Sequence, residues 1–295
     1  LSVIDHTVTA AGARRLKQWL AAPLTDLGAL QARQQAMTAL VAAPTALSTL
    51  HTQLRQVPDV ARAVSRLSLG RGGPRDLGLL RQALEALPTL AQTLHTLPAV
   101  AALCPVAAAK FNALQATLTR ALAPDPLPLL AREGAFIQAG FCPVYDGHHR
   151  LATDGLQAVQ QLERQEAERL GISSLKIKYN KIWGYFIEIT NSHKAKIPSD
   201  YIHRQTNVSG QRFSTPALMD LERQLSEASH LAQARALELF TQLVDAVVAQ
   251  AADWYALAET LATLDVLASG ATLAQRGGYV CPTLTVDGQL NITAG

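Results

Sequence analysis

Lys176, Lys178, Lys181, Lys194, Lys196, Arg204 and Arg212 stand between Ser174 and Pro216 against only two acids, Glu188 and Asp200, so this stretch carries +5 while the remaining chain carries −2. Five of the seven lysines and six of the fifteen aromatic residues are here: Tyr179, Trp183, Tyr185, Phe186, Tyr201 and Phe213. Cations interleaved with short polar groups (Asn180, Ser192, Gln205, Thr206, Asn207, Ser209) can neutralise and hydrogen-bond phosphate oxygens. The chemistry this pattern predicts is a grip on a nucleic-acid backbone that reads no bases and weakens steeply with salt. The alternative is a soluble face that guards sheet edges with lysine. Tyr179, Trp183 and Tyr185 alternate at strand spacing, which favours packing in the module's own core over stacking on single-stranded bases.

Other constellations predict no catalysis. GxxxxGK[ST], HExxH and GxSxG do not occur, and "LGRGGPRDLG" reads as an interhelical loop. His148-His149 reads as a surface turn, and Glu163, Glu166 and Glu168 with Arg164 and Arg169 as a solvated helix face. Cys104, Cys142 and Cys281 are odd in number and far apart, which suits packing rather than disulfides or zinc. No cofactor or metal is expected in this chain. Without a signal-peptide core or an apolar run near the ~20 residues a bilayer needs, no membrane partner is expected and the reading is cytoplasmic. The sequons at Asn207 and Asn291 are then chance matches. Leu1 in place of Met and a strand-like end, "QLNITAG", suggest a piece of a longer protein.

Several elements must hold the basic stretch. From Thr9 to about Leu122 apolar residues recur at helical spacing, as in Leu77, Leu80, Leu84 and Leu87, punctuated by Pro23, Pro44, Pro58, Pro88 and Pro98. A helix is predicted to start near Thr153-Asp154 and close at Gly171. "SLKIKYNKIWGYFIEIT" then alternates as two strands around a tight turn, with Asn180 tolerating the positive φ of a hairpin. "DYIHRQTNV" and "QRFST" add a strand or two, and Thr215-Pro216 reopens a helix. Ala217 to Ser269 contains no Gly or Pro, enough for about 80 Å of helix, with a break near Asp253. Leu218, Leu221, Leu225 and Ala228, then Phe240, Leu243, Val244 and Val247, form a narrow seam. The predicted class is mainly α: a multi-helix core with long helices that carry a small antiparallel β module at their tip.

The run "SLKIKYNKIWGYFIEIT…IPSDYIHRQTNVSGQRFSTPALMDLE" resembles the clamp domain of the MutS family of DNA mismatch repair proteins. "SVIDHTVTAAGARRLKQWLAAPLTD", "VPDVARAVSRLSLGRGGPRDLGLLRQAL" and "LATLDVLASGATLA" resemble the adjoining core and lever regions, so the similarity covers the whole chain. It implies a helical core with the incoming lever helix over 1–170, a DNA clamp over 171–216, the returning lever and core over 217–275, and the first strand of an ATPase domain over 276–295.

The resemblance further implies a clamp that touches duplex DNA containing a mispair through its backbone, and levers coupled to ATPase domains that bind ATP and Mg outside this chain. A homodimer, a MutL-type repair partner and a nucleoid-associated cytoplasmic location follow in the same way. The candidate DNA-binding residues are Lys176, Lys178, Asn180, Lys181, His193, Lys194, Lys196, Arg204, Gln205, Ser209 and Arg212; Asn180 and Arg204 fall on family positions associated with backbone contact. Val208, Ser209 and His203 depart from a frequent Lys, an Asn and an Arg, which implies a weaker or more pH-dependent grip. Neither the mispair-probing wedge nor the P-loop is present, so this chain alone is expected neither to hydrolyse ATP nor to recognise a mismatch. The rival readings are a helical protein-interaction scaffold and a MutS-related recombination paralogue.

Overall fold

The computed structural model describes residues 3–180, 184–207, 210–286 and 291–292. The chain forms two compact units, one from Leu1–Gln138 with Phe240–Gly295 and one from Ala139–Leu239. The class is mainly α with one small four-stranded antiparallel sheet.

The first unit holds α1 (Ala10–Ala21), α2 (Leu27–Ala42), α3 (Pro44–Gln56), α4 (Val60–Ser68), α5 (Pro74–His95), α6 (Pro98–Leu103) and α7 (Asn112–Ala121). Their starts follow from local chemistry. Thr9, Asp26 and Asp59 cap α1, α2 and α4 by accepting from backbone N–H groups, and proline opens α3, α5 and α6 where its missing N–H is not needed. Pro88, expected to end a helix, lies inside α5, where buried Leu84, Leu87 and Leu90 hold the helix on both sides of it.

The same unit includes α10 (Ala251–Gly277), which packs against α1, α2, α3 and α4. Trp254, Leu257, Leu261, Leu264 and Leu267 are all buried on it. Contrary to the sequence-based expectation, α10 is long and apolar enough by length and composition to cross a membrane; 56% of that window is buried within this unit. Asp265 on α10 is fully buried and accepts from Val8 N at 2.9 Å, Thr9 N at 2.8 Å and the Thr9 hydroxyl at 2.6 Å. A Cβ on Gly12 would lie 2.1 Å from Asp265 Oδ2, so this close approach needs glycine.

The second unit begins with α8 (Pro143–Leu170), ten residues earlier than the predicted start near Thr153, because Cys142-Pro143 already supplies an N-cap and first turn. His148-His149 is therefore helical rather than a turn, and His149 stacks on Tyr145 with ring centroids 5.3 Å apart. Gly171 closes α8 in the left-handed conformation, φ +61°. β1 (Lys176–Asn180), β2 (Gly184–Thr190), β3 (Ile202–Thr206) and β4 (Gly210–Ser214) lie in the order β1-β2-β4-β3. α9 (Pro216–Val248) opens with Thr215 Oγ1 accepting from Leu218 N at 3.2 Å. The expected interruption of the long helical run falls at Ala249-Gln250.

Gly155 on α8 faces Leu225 on α9 so closely that a Cβ would sit 2.3 Å from Leu225 Cδ2. Where α8 ends and α9 begins, Ile172, Leu175, Ile187, Ile189, Tyr201, Phe213 and Leu218 make the core under one face of the sheet. Tyr179, assigned to that core by its spacing, is instead 62% exposed and meets Tyr185 at 5.1 Å. Cys281, read as a packing residue, is exposed, whereas Cys104 and Cys142 are buried.

Candidate nucleic-acid interface

Strand alternation sends Lys176 and Lys178 of β1, Phe186 and Glu188 of β2 and Arg212 of β4 to the sheet face opposite that core. Arg212 is opposite Glu188, and a bulge between His203 and Gln205 places Gln205 opposite Arg212. Four of the predicted residues, Lys176, Lys178, Gln205 and Arg212, are thereby gathered on one surface. Their charges are not all free. Lys178 pairs with Glu188, Arg212 Nε lies 3.8 Å from Glu188 Oε1, and Lys176 Nζ lies 2.9 Å from Glu163 of α8.

Arg212 also donates to Gln205 Oε1 at 3.0 Å and lies 4.5 Å over the Phe186 ring. Phe186 is thus buried on the polar face, beneath a guanidinium. The Asn207 amide, turned with its oxygen toward Arg212, accepts from it at 3.2 Å. This face is a hydrogen-bonded cationic plate with Glu188 in its middle.

The remaining candidates lie at the edges. His193, Lys194 and Lys196 occupy a 3-10 turn after β2, Asn191–Lys196. Lys196 donates to Gly171 O at 3.0 Å, while exposed Lys194 has no ion pair among the described residues. Arg204 sits at the β3 bulge, exposed, with Met219 Sδ 3.7 Å from its Nη2. Asn180 ends β1 opposite Gly184, and among the described residues of this hairpin φ is positive at Gly184 (+69°) and not at Asn180. Lys181, Trp183, Val208 and Ser209 lie outside the described residues. Among the described residues, no cluster of metal-binding side chains occurs.

Sequence reasoning missed the carboxylates that anchor the sheet. Glu163 accepts from Ile177 N at 2.8 Å as well as from Lys176; burial pushes its pKa up, but these two donors outweigh it and hold the group below the ordinary carboxylate value. Glu166, expected in solvent, is 6% exposed and accepts from the Tyr201 hydroxyl at 2.7 Å. Burial first, then this bond to Glu166, raises the Tyr201 pKa. Arg169 closes the group with two bonds to Asp200, and the Arg169 bond lowers the Asp200 pKa. Glu222 of α9 accepts from Tyr185 N at 3.3 Å and fills the space a Cβ on Gly184 would take. A carboxylate every few residues on a charged helix looks solvated in sequence; only the neighbouring strand reveals which ones turn inward.

The family model described as MutS domain III matches residues 1–271. The chain is similar to the DNA mismatch repair protein MutS of Dinoroseobacter shibae, 38% identical over 302 residues that cover all of this chain and 34% of that protein. It is likewise similar to the DNA mismatch repair protein MutS of Anaeromyxobacter sp. strain K, at 40% over 298 residues, and to that of Myxococcus xanthus, at 39% over 298 residues; in each case 100% of this chain and 33% of the relative are covered. The chain spans about a third of the length of these curated relatives.

Proposed function

This chain belongs to the MutS family of DNA mismatch repair proteins and corresponds to its domain III, and on that premise we propose that the sheet of the second unit is a clamp that holds duplex DNA by its phosphate backbone. The observation that carries the reading is the plate of Lys176, Lys178 and Arg212 bordered by exposed Lys194 and Arg204. The grip is independent of base sequence, because lysine and arginine on a flat sheet face meet phosphates and insert nothing into a groove. Lys194 and Arg204 make first contact. Lys178 and Arg212 exchange Glu188 for phosphate only as the duplex seats.

The paired helices α8 and α9, continuous on either side of the sheet, serve as levers that connect the clamp with ATPase domains of a longer protein. ATP and Mg are bound by those domains and not by this chain. The longer protein acts as a homodimer around DNA containing a mispair, works with a MutL-type repair partner and resides in the cytoplasm at the nucleoid.

The test is duplex binding by the 295-residue chain across a salt series, with matched and mismatched duplexes. Lys194→Ala with Arg204→Ala is expected to weaken both equally and to flatten the slope of log K against log salt by about 1.8, roughly 0.9 for each phosphate that is no longer neutralised. An unchanged slope, or weakening confined to mismatched DNA, contradicts the clamp.

A further inference from the structure

The first unit contains a cleft of about 470 Å³ lined by the segment His6–Val8, by α3 and by the end of α10. Arg55 and His51 of α3, Arg276 of α10 and His6 surround it, with hydroxyls that include Thr52 and Thr272 between them; no carboxylate is among the described lining residues. Arg55 and Arg276 are exposed and have no ion pair among the described residues. Two neighbouring acids, Asp5 and Asp265, already have donors of their own. Asp5 accepts from Thr7 N at 3.0 Å and from its hydroxyl at 2.6 Å, and Asp265 beneath the cleft is held by Val8 and Thr9.

A cation in the last turn of a helix is favourable by itself, which accounts for Arg55 on α3 and Arg276 on α10 separately. The helix dipole does not account for two such cations, from distant parts of the chain, lining one cleft with two imidazoles and no carboxylate among its described lining residues. On the clamp sheet every central cation has its carboxylate; among the described residues neither arginine of the cleft has one, while His51 feels the carboxylate of Asp265. The cleft lies within the size range of small-ligand sites and offers two guanidinium forks, suited to the many acceptors of a tetrahedral oxyanion; the Thr52 and Thr272 hydroxyls already donate to Ser48 O and Ala268 O.

We propose that this cleft is a binding site for a phosphate-bearing anion held between Arg55 and Arg276. His51 reports on occupancy. Its Nε2 meets Thr272 Oγ1 at 2.9 Å, and its pKa is held low first by burial, against the pull of Asp265, and further by Arg55 and Arg276. An anion between the arginines offsets their repulsion, so the imidazole gains a proton more readily when the site is filled.

The probe is inorganic pyrophosphate added to the 295-residue chain, followed by calorimetry and by the His51 ring resonance across pH. Saturable binding with a Kd at or below about 1 mM is expected, with the His51 titration moved to higher pH. Arg55→Gln with Arg276→Gln should weaken binding at least roughly tenfold while duplex binding and the thermal midpoint stay unchanged. That separates the cleft from the clamp sheet. No saturation up to about 10 mM, undiminished binding by the double variant, an unmoved His51 titration, or equal affinity for citrate, which has carboxylates only, each overturns the proposal.

Discussion

Glu188 lies between Lys178 and Arg212 on the exposed face of the sheet, so the excess of positive charge counted along this stretch is partly neutralised within it. For an incoming phosphate Glu188 is a competitor, because it occupies the same donors. Replacing Glu188 with Gln keeps the shape and one acceptor while removing the charge. The expected outcome is a three- to tenfold gain in duplex affinity at low salt, about 0.7–1.4 kcal/mol, with a steeper salt slope. Fluorescence anisotropy on labelled duplex measures both; weaker binding would mean that Glu188 serves chiefly to orient Arg212. Glu163 plays a different part, because its second bond, to Ile177 N, joins β1 to α8. Its folded pKa is depressed, so its stabilising contribution is present above the unfolded carboxylate value of about 4.3 and is lost as pH falls through the folded one.

At the scale of elements, the sheet is fastened to its helices by carboxylates as well as by its apolar core. α8 supplies Glu163 and Glu166, and α9 supplies Glu222. Gly184 is the point where hairpin and helix meet most closely: its φ is +69°, and a Cβ there would stand 1.7 Å from Glu222 Oε1. Gly184→Ala therefore strains the backbone and displaces Glu222 from Tyr185 N together. A loss of about 2 kcal/mol is expected, the sum of a strained φ and one broken hydrogen bond. Urea unfolding followed on the sheet's aromatic signals checks this. A change below about 0.5 kcal/mol would show that the Glu222 contact contributes nothing.

At the scale of the whole molecule, the first unit is assembled from chain segments far apart in sequence, and Asp265 is where they are joined. Its carboxylate binds Val8 and Thr9 across more than 250 residues, while Ser269 one turn later accepts from His6 N at 2.9 Å. Burial raises the pKa of Asp265 even though its three donors pull the other way. Asp265→Ala removes the carboxylate and leaves two backbone N–H groups and the Thr9 hydroxyl without their partner. A loss of about 3 kcal/mol is expected, read as a lower urea midpoint, with Ser269→Ala costing less because it removes a neutral hydroxyl that makes one bond from His6 N and one long bond, 3.5 Å, to Ile4 O. Equal effects of the two substitutions would refute the central role given to Asp265.

The helical periodicity of α5, the hairpin alternation around "KIKYN" and the cap-and-proline start of α9 were legible because each depends on neighbours within a few residues. Family membership was legible for a related reason, since an ordered run such as "HRQTNVSGQRFSTP" is a property of the chain itself. The inward turn of Glu163 and Glu166, the exposure of Tyr179, the passage of α5 through Pro88 and the early start of α8 were not. They depend on which surface lies opposite: a carboxylate is solvated or buried according to the strand that packs on it, and a proline or glycine is tolerated where tertiary contacts hold the helix. The amino-acid sequence by itself determined that positive charge would gather on a small sheet between two long helices. Only the tertiary structure decided which of those charges are already paired, because pairing is a matter of distances between side chains that chain order leaves free.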